Sequence, residues 1–325
     1  MNTSHLPWHK VLGAVLAWCL AGPVAAAYSQ IIAFGDSLSD TGNLYQLTSF
    51  LPSGGVPGEP YYAGRFSDGL LPVEVMGFEL DIGVTSYAFG GAQTGAGNQG
   101  GLLLYGTGVA GQVAQFGEQL NQLSADAQAL YFVWAGPNDF YTGRNMLSDN
   151  TAKSASRNQL ANIQQLFELG ARDFFIPLMP DLSITPAALQ GDPAYRAAAR
   201  ERTNEYNAFL QEGLQSLSER LPGLNAFVFD TPRFMRDTIP TLAAQGFNLT
   251  DACFKAQTGE VCANQEKYAF WDTVHPSAAA DWLLGSAFAK AVASPVPEPG
   301  VWLLVLGGVA VLGPRWKRSP DEAAA

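Results

Sequence analysis

Five short runs that are apolar on both faces alternate along this chain with stretches whose apolar residues recur every third or fourth position. That alternation leaves few architectures open. The predicted strands are Gln30–Phe34, Thr85–Phe89, Ala129–Trp134, Asp173–Leu178 and Ala226–Phe229; the first three run into Gly35, Gly90-Gly91 and Gly136-Pro137. The intervening stripes are helical. Val113, Phe116, Leu120 and Leu123 form one, and Leu160, Ile163 and Phe167 form another, closed by Gly170. Tyr206, Leu210, Leu214, Leu217 and Leu221 form a third, which starts near Asp192-Pro193 and stops at Pro222-Gly223. A strand that is apolar on both faces must be covered on both, as in a parallel sheet between two helix layers. The expected fold is therefore a three-layer α/β/α sandwich around a central, mainly parallel five-stranded sheet. In such sheets the working residues lie just past the C-terminal ends of the strands. That rule points to Gly35–Asn43, Gly90–Gly95 and Gly136–Asp139.

The chain has 325 residues, 47% of them hydrophobic, enough for one large core, and it carries no internal repeat. Its formal net charge is -11, and outside the C-terminal tail no phosphate-binding patch of clustered Lys and Arg appears, which argues against nucleic acid as a partner. Residues 1–27 read as a secretory signal peptide. His5, His9 and Lys10 precede an apolar run from Val11 to Ala21, followed by the small residues Val24-Ala25-Ala26-Ala27. The competing reading, a transmembrane anchor, meets a run too short to span a bilayer comfortably.

Export would leave His275 as the sole histidine of the mature chain. Any histidine base must then be this residue, and most histidine-rich metal sites are excluded. Removal of Cys19 would leave Cys253 and Cys262. An even pair in an oxidising compartment predicts a disulfide worth about 2–3 kcal/mol, with two free thiols as the alternative.

The chemistry-bearing residues cluster at three points. Phe34-Gly35-Asp36-Ser37-Leu38-Ser39-Asp40 follows the first strand directly, so Ser37 stands at the mouth of the sheet, where its own backbone N–H can face a developing oxyanion. Trp271-Asp272-Thr273-Val274-His275-Pro276-Ser277 sets a carboxylate three residues before the imidazole. A carboxylate on Nδ1 fixes the tautomer and leaves Nε2 free to take a proton. Pro276 is expected to open a helix packed through Trp282, Leu283 and Phe288.

These blocks resemble the SGNH/GDSL hydrolases, in the family's order and over about residues 30–292. Ser37 falls on the family's nucleophile. Ala88-Phe89-Gly90-Gly91-Ala92 resembles its second block, whose glycine joins the oxyanion hole; Gly91 fits best, with Gly90 the alternative. Gly136-Pro137-Asn138-Asp139 resembles the third, in which Asn138 donates a side-chain N–H to the same oxyanion. Asp272 and His275 match the last. Gly64–Gly69 and Leu169–Pro180 also resemble segments of the larger GDSL lipases.

The resemblance implies a flavodoxin-like sandwich and a serine esterase or lipase with the triad Ser37, Asp272 and His275. It implies an oxyanion hole of Ser37, Gly91 and Asn138, and no metal or organic cofactor. Acyl transfer, polysaccharide deacetylation, or an inactive polysaccharide-binding domain are the competing readings. Asp36 is expected to cap a turn, Asp40 and Asn43 to order their loop, and Asp139 to hold the loop of Asn138. The Pro/Gly/Tyr-rich segment Thr48–Leu71, with Phe66, Leu70 and Leu71, leans toward lipid or aryl esters over acylated sugars.

Beyond the domain at 28–293, residues 294–325 contain Val296-Pro297-Glu298-Pro299, an apolar run from Gly300 to Gly313, and the basic cluster Arg315-Trp316-Lys317-Arg318. This arrangement resembles the PEP-CTERM sorting signal of Gram-negative bacteria. It implies an exosortase-like sorting enzyme as a partner, as the leader implies signal peptidase. The destination would be periplasmic, cell-surface or extracellular, with transient anchoring in the inner membrane. A plain C-terminal membrane anchor is the alternative.

Overall fold

The computed structural model describes residues 28–293 apart from Ser53, Arg144 and Asp149. The expected leader and sorting segment lie outside the described residues.

In chain order the elements begin with β1 (Ile31–Gly35), α1 (Asn43–Thr48), α2 (Pro72–Leu80), β2 (Val84–Ser86) and α3 (Val109–Gln119). Next come β3 (Leu130–Trp134), α4 (Pro137–Tyr141), α5 (Thr151–Leu169), β4 (Asp173–Pro177), α6 (Pro186–Gln190), α7 (Pro193–Arg220) and β5 (Asn225–Phe229). The chain then runs through α8 (Thr231–Ala244), β6 (Asn248–Ala252), β7 (Phe254–Lys255), β8 (Glu260–Val261), β9 (Tyr268–Phe270) and α9 (Ala278–Ala293). The central sheet has five strands in the order β2-β1-β3-β4-β5, and every pairing is parallel. This is the flavodoxin-like order, whose chain direction across the sheet reverses between β1 and β3.

Alternate residues of each central strand feed opposite cores, as the two-residue strand period requires. Ile32, Phe34, Tyr131, Val133, Phe174 and Ile176 face one layer, which α3, α5 and α7 cover. Ile31, Ala33, Phe132, Trp134 and Phe175 face the other, closed by Val73 and Met76 of α2 and by Leu284 and Phe288 of α9. Each such large apolar side chain contributes about 1.5–3 kcal/mol through burial. The two edge strands depart from the expectation of full burial. β2 and β5 are half-buried, because a neighbouring strand protects each on one side only. β2 also stops three residues earlier than predicted, although the Tyr87 and Phe89 N–H groups still donate to the carbonyls of Ala33 and Gly35.

The stripes on α5 and α7 pack inward, and Asp192 caps α7 by accepting from the Ala194 N–H. Leu123 breaks the predicted stripe of α3: it is 75% exposed. That helix ends at Gln119, and the positive φ angles of Asn121 and Gln122 turn the chain away. On α9 the expected packing is carried by Phe288 and Leu284, whereas Trp282 and Leu283 are exposed. The helix opens at Ala278 rather than at Pro276, with the Ser277 hydroxyl accepting from the Ala280 N–H.

After β5 the chain leaves the sandwich pattern. β6 pairs with β9, β7 pairs with β8, and Cys253 is joined to Cys262 by a disulfide with a Cα–Cα distance of 4.8 Å. Cys253, Phe254 and Trp271 form a small apolar cluster of their own. This small unit carries Asp272 and His275.

Candidate active site

The serine loop is organised by two buried carboxylates. Asp36 accepts the Leu38 N–H through Oδ1 at 3.0 Å, which is the turn-capping role expected of it. Burial pushes its carboxyl up to about 7. Asp40 accepts the N–H groups of Gly42, Asn43 and Leu44, and reaches across to take that of Gly90 at 2.7 Å. Asn43 donates its amide to the carbonyls of Ser86 and Ala88. Both residues order the loop, as expected, and they also tie it to the second glycine block.

Ser37, Asp272 and His275 meet. His275 Nε2 lies 2.8 Å from Ser37 Oγ, and Nδ1 lies 2.7 Å from Asp272 Oδ2. Burial opposes the Asp272 charge, but His275 beside it and the N–H groups of Val274 and His275 outweigh that and hold its carboxyl at about 2. An ionised carboxylate only accepts hydrogen bonds. The proton between the two therefore belongs to Nδ1, and Nε2 is left to accept from the serine hydroxyl. Burial works against the imidazolium, yet Asp272 and, more weakly, Asp36 raise the His275 pKa above its ordinary value.

The expected donors for an oxyanion lie at the ends of the neighbouring segments. Geometry bears on the alternative between Gly90 and Gly91. The Gly90 N–H is already given to Asp40, which leaves that of Gly91. Gly91 sits at φ +77°, and a Cβ there would meet Asn98 Oδ1 at 2.7 Å, so a side chain would be strained on both counts. Asn138, in the first turn of α4, lines the same cavity as Ser37 and donates an amide N–H to the Ala92 carbonyl at 3.1 Å. Asp139 accepts from the Thr94 N–H and hydroxyl, so it holds the 90s loop against α4. Among the described residues no group of His, Cys, Asp and Glu could hold a metal ion.

Several contributors were not legible in the sequence. The Tyr61 hydroxyl donates to Asp272 Oδ2 at 2.7 Å, the same oxygen that meets His275. The Phe66 ring lies 5.1 Å from the imidazole. Ser37, Gly91, Asn138 and His275 open into a cavity of about 710 Å³. Its far walls come from Leu182, Ile184 and Leu189, and from Phe234, Ile239 and Leu242 of α8. Of the three loop residues expected to favour an apolar ester, Phe66 lines the cavity. Leu71 is buried at the start of α2, and neither it nor Leu70 reaches the cavity.

The family described as GDSL-like Lipase/Acylhydrolase matches residues 31–288. The thermolabile hemolysin of Vibrio parahaemolyticus is 26% identical over 269 residues, covering 77% of this chain and 60% of its own. This chain thus spans less than two thirds of the hemolysin's length. A GDSL esterase/lipase of Arabidopsis thaliana is 28% identical over 324 residues, covering 81% of this chain and 86% of its own. Among solved structures, a lipolytic G-D-S-L family protein from Veillonella parvula is 15% identical, with a TM-score of 0.44, covering 82% of this chain and 99% of its own. The chain belongs to the GDSL-like lipase/acylhydrolase family and is a hydrolase acting on ester bonds.

Proposed function

We propose that this chain is an exported serine esterase that cleaves carboxylic esters with an apolar acyl or aryl part. The observation that carries the reading is the unbroken Ser37–His275–Asp272 relay, with contacts of 2.8 and 2.7 Å, at the floor of an apolar cavity. Ser37 Oγ attacks the ester carbonyl as His275 Nε2 takes its proton. The N–H groups of Ser37 and Gly91 and the Asn138 amide stabilise the tetrahedral oxyanion. His275 then protonates the leaving alcohol, and a water repeats the sequence on the acyl-enzyme. Asp272 stays ionised throughout and stabilises the imidazolium.

A panel of aryl esters from acetyl to long acyl, together with acetylated sugars, tests the reading on wild type and Ser37→Ala. Ser37-dependent turnover is expected, strongest on the longer acyl chains. Absence of Ser37-dependent turnover on every member would overturn it. A preference for acetylated sugars would move the substrate to polysaccharide.

Export belongs to the same reading. Signal peptidase would remove residues 1–27, and an exosortase-like enzyme would act near Pro297-Glu298-Pro299. Fractionation of the native host with intact-mass measurement is expected to find the chain outside the cytoplasm without its first 27 residues. Full-length protein in the cytoplasm would refute this.

A further inference from the structure

The cavity's lip carries exposed apolar side chains. Residues 100–105 arch over one side of it: Leu104 points inward and lines the cavity, while its neighbours Leu102 and Leu103 are 91% and 96% exposed. Tyr105 is exposed beside them. These leucines stand on braced backbone. Asn98 donates to the Gly90 carbonyl and to the Thr107 hydroxyl, and accepts the Gly100 N–H. The chain enters and leaves the arch through Gly101 and Gly106, at φ +74° and +94°.

A second stretch on the same mouth repeats the pattern. Val56 lines the cavity and is itself partly exposed, and the turn leading to it presents Leu47, Phe50 and Leu51 to solvent. That turn is closed by the Thr48 hydroxyl, which accepts the Val56 N–H at 2.8 Å.

Neither of these two segments carries a formal charge. Residues 41–58 and 82–117 contain no Asp, Glu, Lys or Arg, whereas the whole chain carries a formal net charge of -11. A rim of fixed, exposed leucine and aromatic side chains is costly in water, and such patches mark surfaces of interaction. Its continuity with an apolar cavity says what the partner must offer: a phase from which an apolar ester can pass into the site without crossing water. The absence of basic residues from the rim, against an acidic body, disfavours an anionic surface.

We propose that this rim docks the enzyme on a neutral lipid surface, zwitterionic or uncharged, from which the ester substrate is drawn. The inference rests on the esterase reading for its purpose, but its test does not depend on turnover. Ser37→Ala protein is mixed with phosphatidylcholine vesicles and sedimented, alone and with Leu102→Ser and Leu103→Ser added. Binding is expected with the single variant and is expected to fall about tenfold or more when the two leucines are replaced. Vesicles rich in phosphatidylserine are expected to bind less.

On active protein, the Leu102→Ser, Leu103→Ser pair should leave turnover of a dissolved aryl butyrate within about twofold, because neither side chain lines the cavity. The same pair should lower turnover of an emulsified long-chain ester about tenfold or more. Equal vesicle binding with and without the leucines would overturn the proposal, as would tighter binding to the anionic vesicles. A stable dimer that the serine substitutions dissociate would also overturn it, assigning the rim to a second copy of this chain. Vesicle binding without ester turnover would refute the esterase reading and leave the docking surface standing.

Discussion

The two halves of the site are held in different ways. Ser37, Gly91 and Asn138 stand at the ends of or just beyond segments in register with the central sheet, and the cores beneath them are buried on both faces. Asp272 and His275 stand on a small unit of two-stranded pairings, stapled by one disulfide and packed around Cys253, Phe254 and Trp271. The nucleophile and its expected oxyanion donors are positioned by regular secondary structure at the switch point between β1 and β3. The acid–base pair is positioned by side chains and a crosslink, and it meets the first half through the serine–histidine contact, Tyr61 and the Ser67 hydroxyl on the Pro276 carbonyl. Damage to the first half should therefore lower global stability and activity together, whereas damage to the second should reach activity first.

The largest break is expected from Asp272→Asn, which preserves shape but cannot hold the proton on Nδ1. Turnover should fall about 10⁴-fold with the melting temperature nearly unchanged. A fall of less than tenfold would mean that His275 is oriented by its packing alone. Asn138→Ala removes one oxyanion donor and should cost about 10²–10³ in kcat, with KM little affected. Near-wild-type kcat for that variant would take Asn138 out of the hole.

Replacing Cys253 and Cys262 with serine tests the stapled half directly. The crosslink closes a loop with a sequence separation of 9, and its loss should destabilise that unit by about 2–3 kcal/mol. Hydrogen exchange is expected to rise across residues 248–277 while β1 and β3 stay protected. Uniform loss of protection would show that the two halves unfold as one.

The smallest and most specific effect concerns Asp36. Its folded pKa, about 7 through burial, lies above the unfolded value. Between those values the folded chain binds more protons than the unfolded chain, so stability declines as pH rises through that window and stays reduced above it. Asp36→Asn keeps the Oδ1 acceptor for Leu38 and removes the buried charge. It should raise the melting temperature at pH 8 and leave it unchanged at pH 3. The same change withdraws a charge that raises the His275 pKa. The acidic limb of kcat/KM, which requires neutral His275, should then move to lower pH. An unmoved limb would mean that Asp36 does not act on the imidazole at the pH of catalysis.

Much of this was legible in the sequence because it is local. Alternating strand and helix patterns, the turn glycines, the Asp192-Pro193 cap and the Asp272–His275 spacing all act through backbone conformation within a few residues. Together they point to Gly35–Asn43, Gly90–Gly95 and Gly136–Asp139 as the segments at neighbouring strand ends, while the resemblance named Gly91 and Asn138 within them. Tertiary structure alone decided what depends on the direction of side chains distant in the chain. The Gly90 N–H is taken by a carboxylate fifty residues away, which favours Gly91 as the glycine donor. Tyr61 reaches Asp272 across 211 residues, Leu71 turned into the core instead of the cavity, and α8 supplied a wall that no motif announced. Periodicity tells which residues share a face; packing against distant neighbours decides what that face meets.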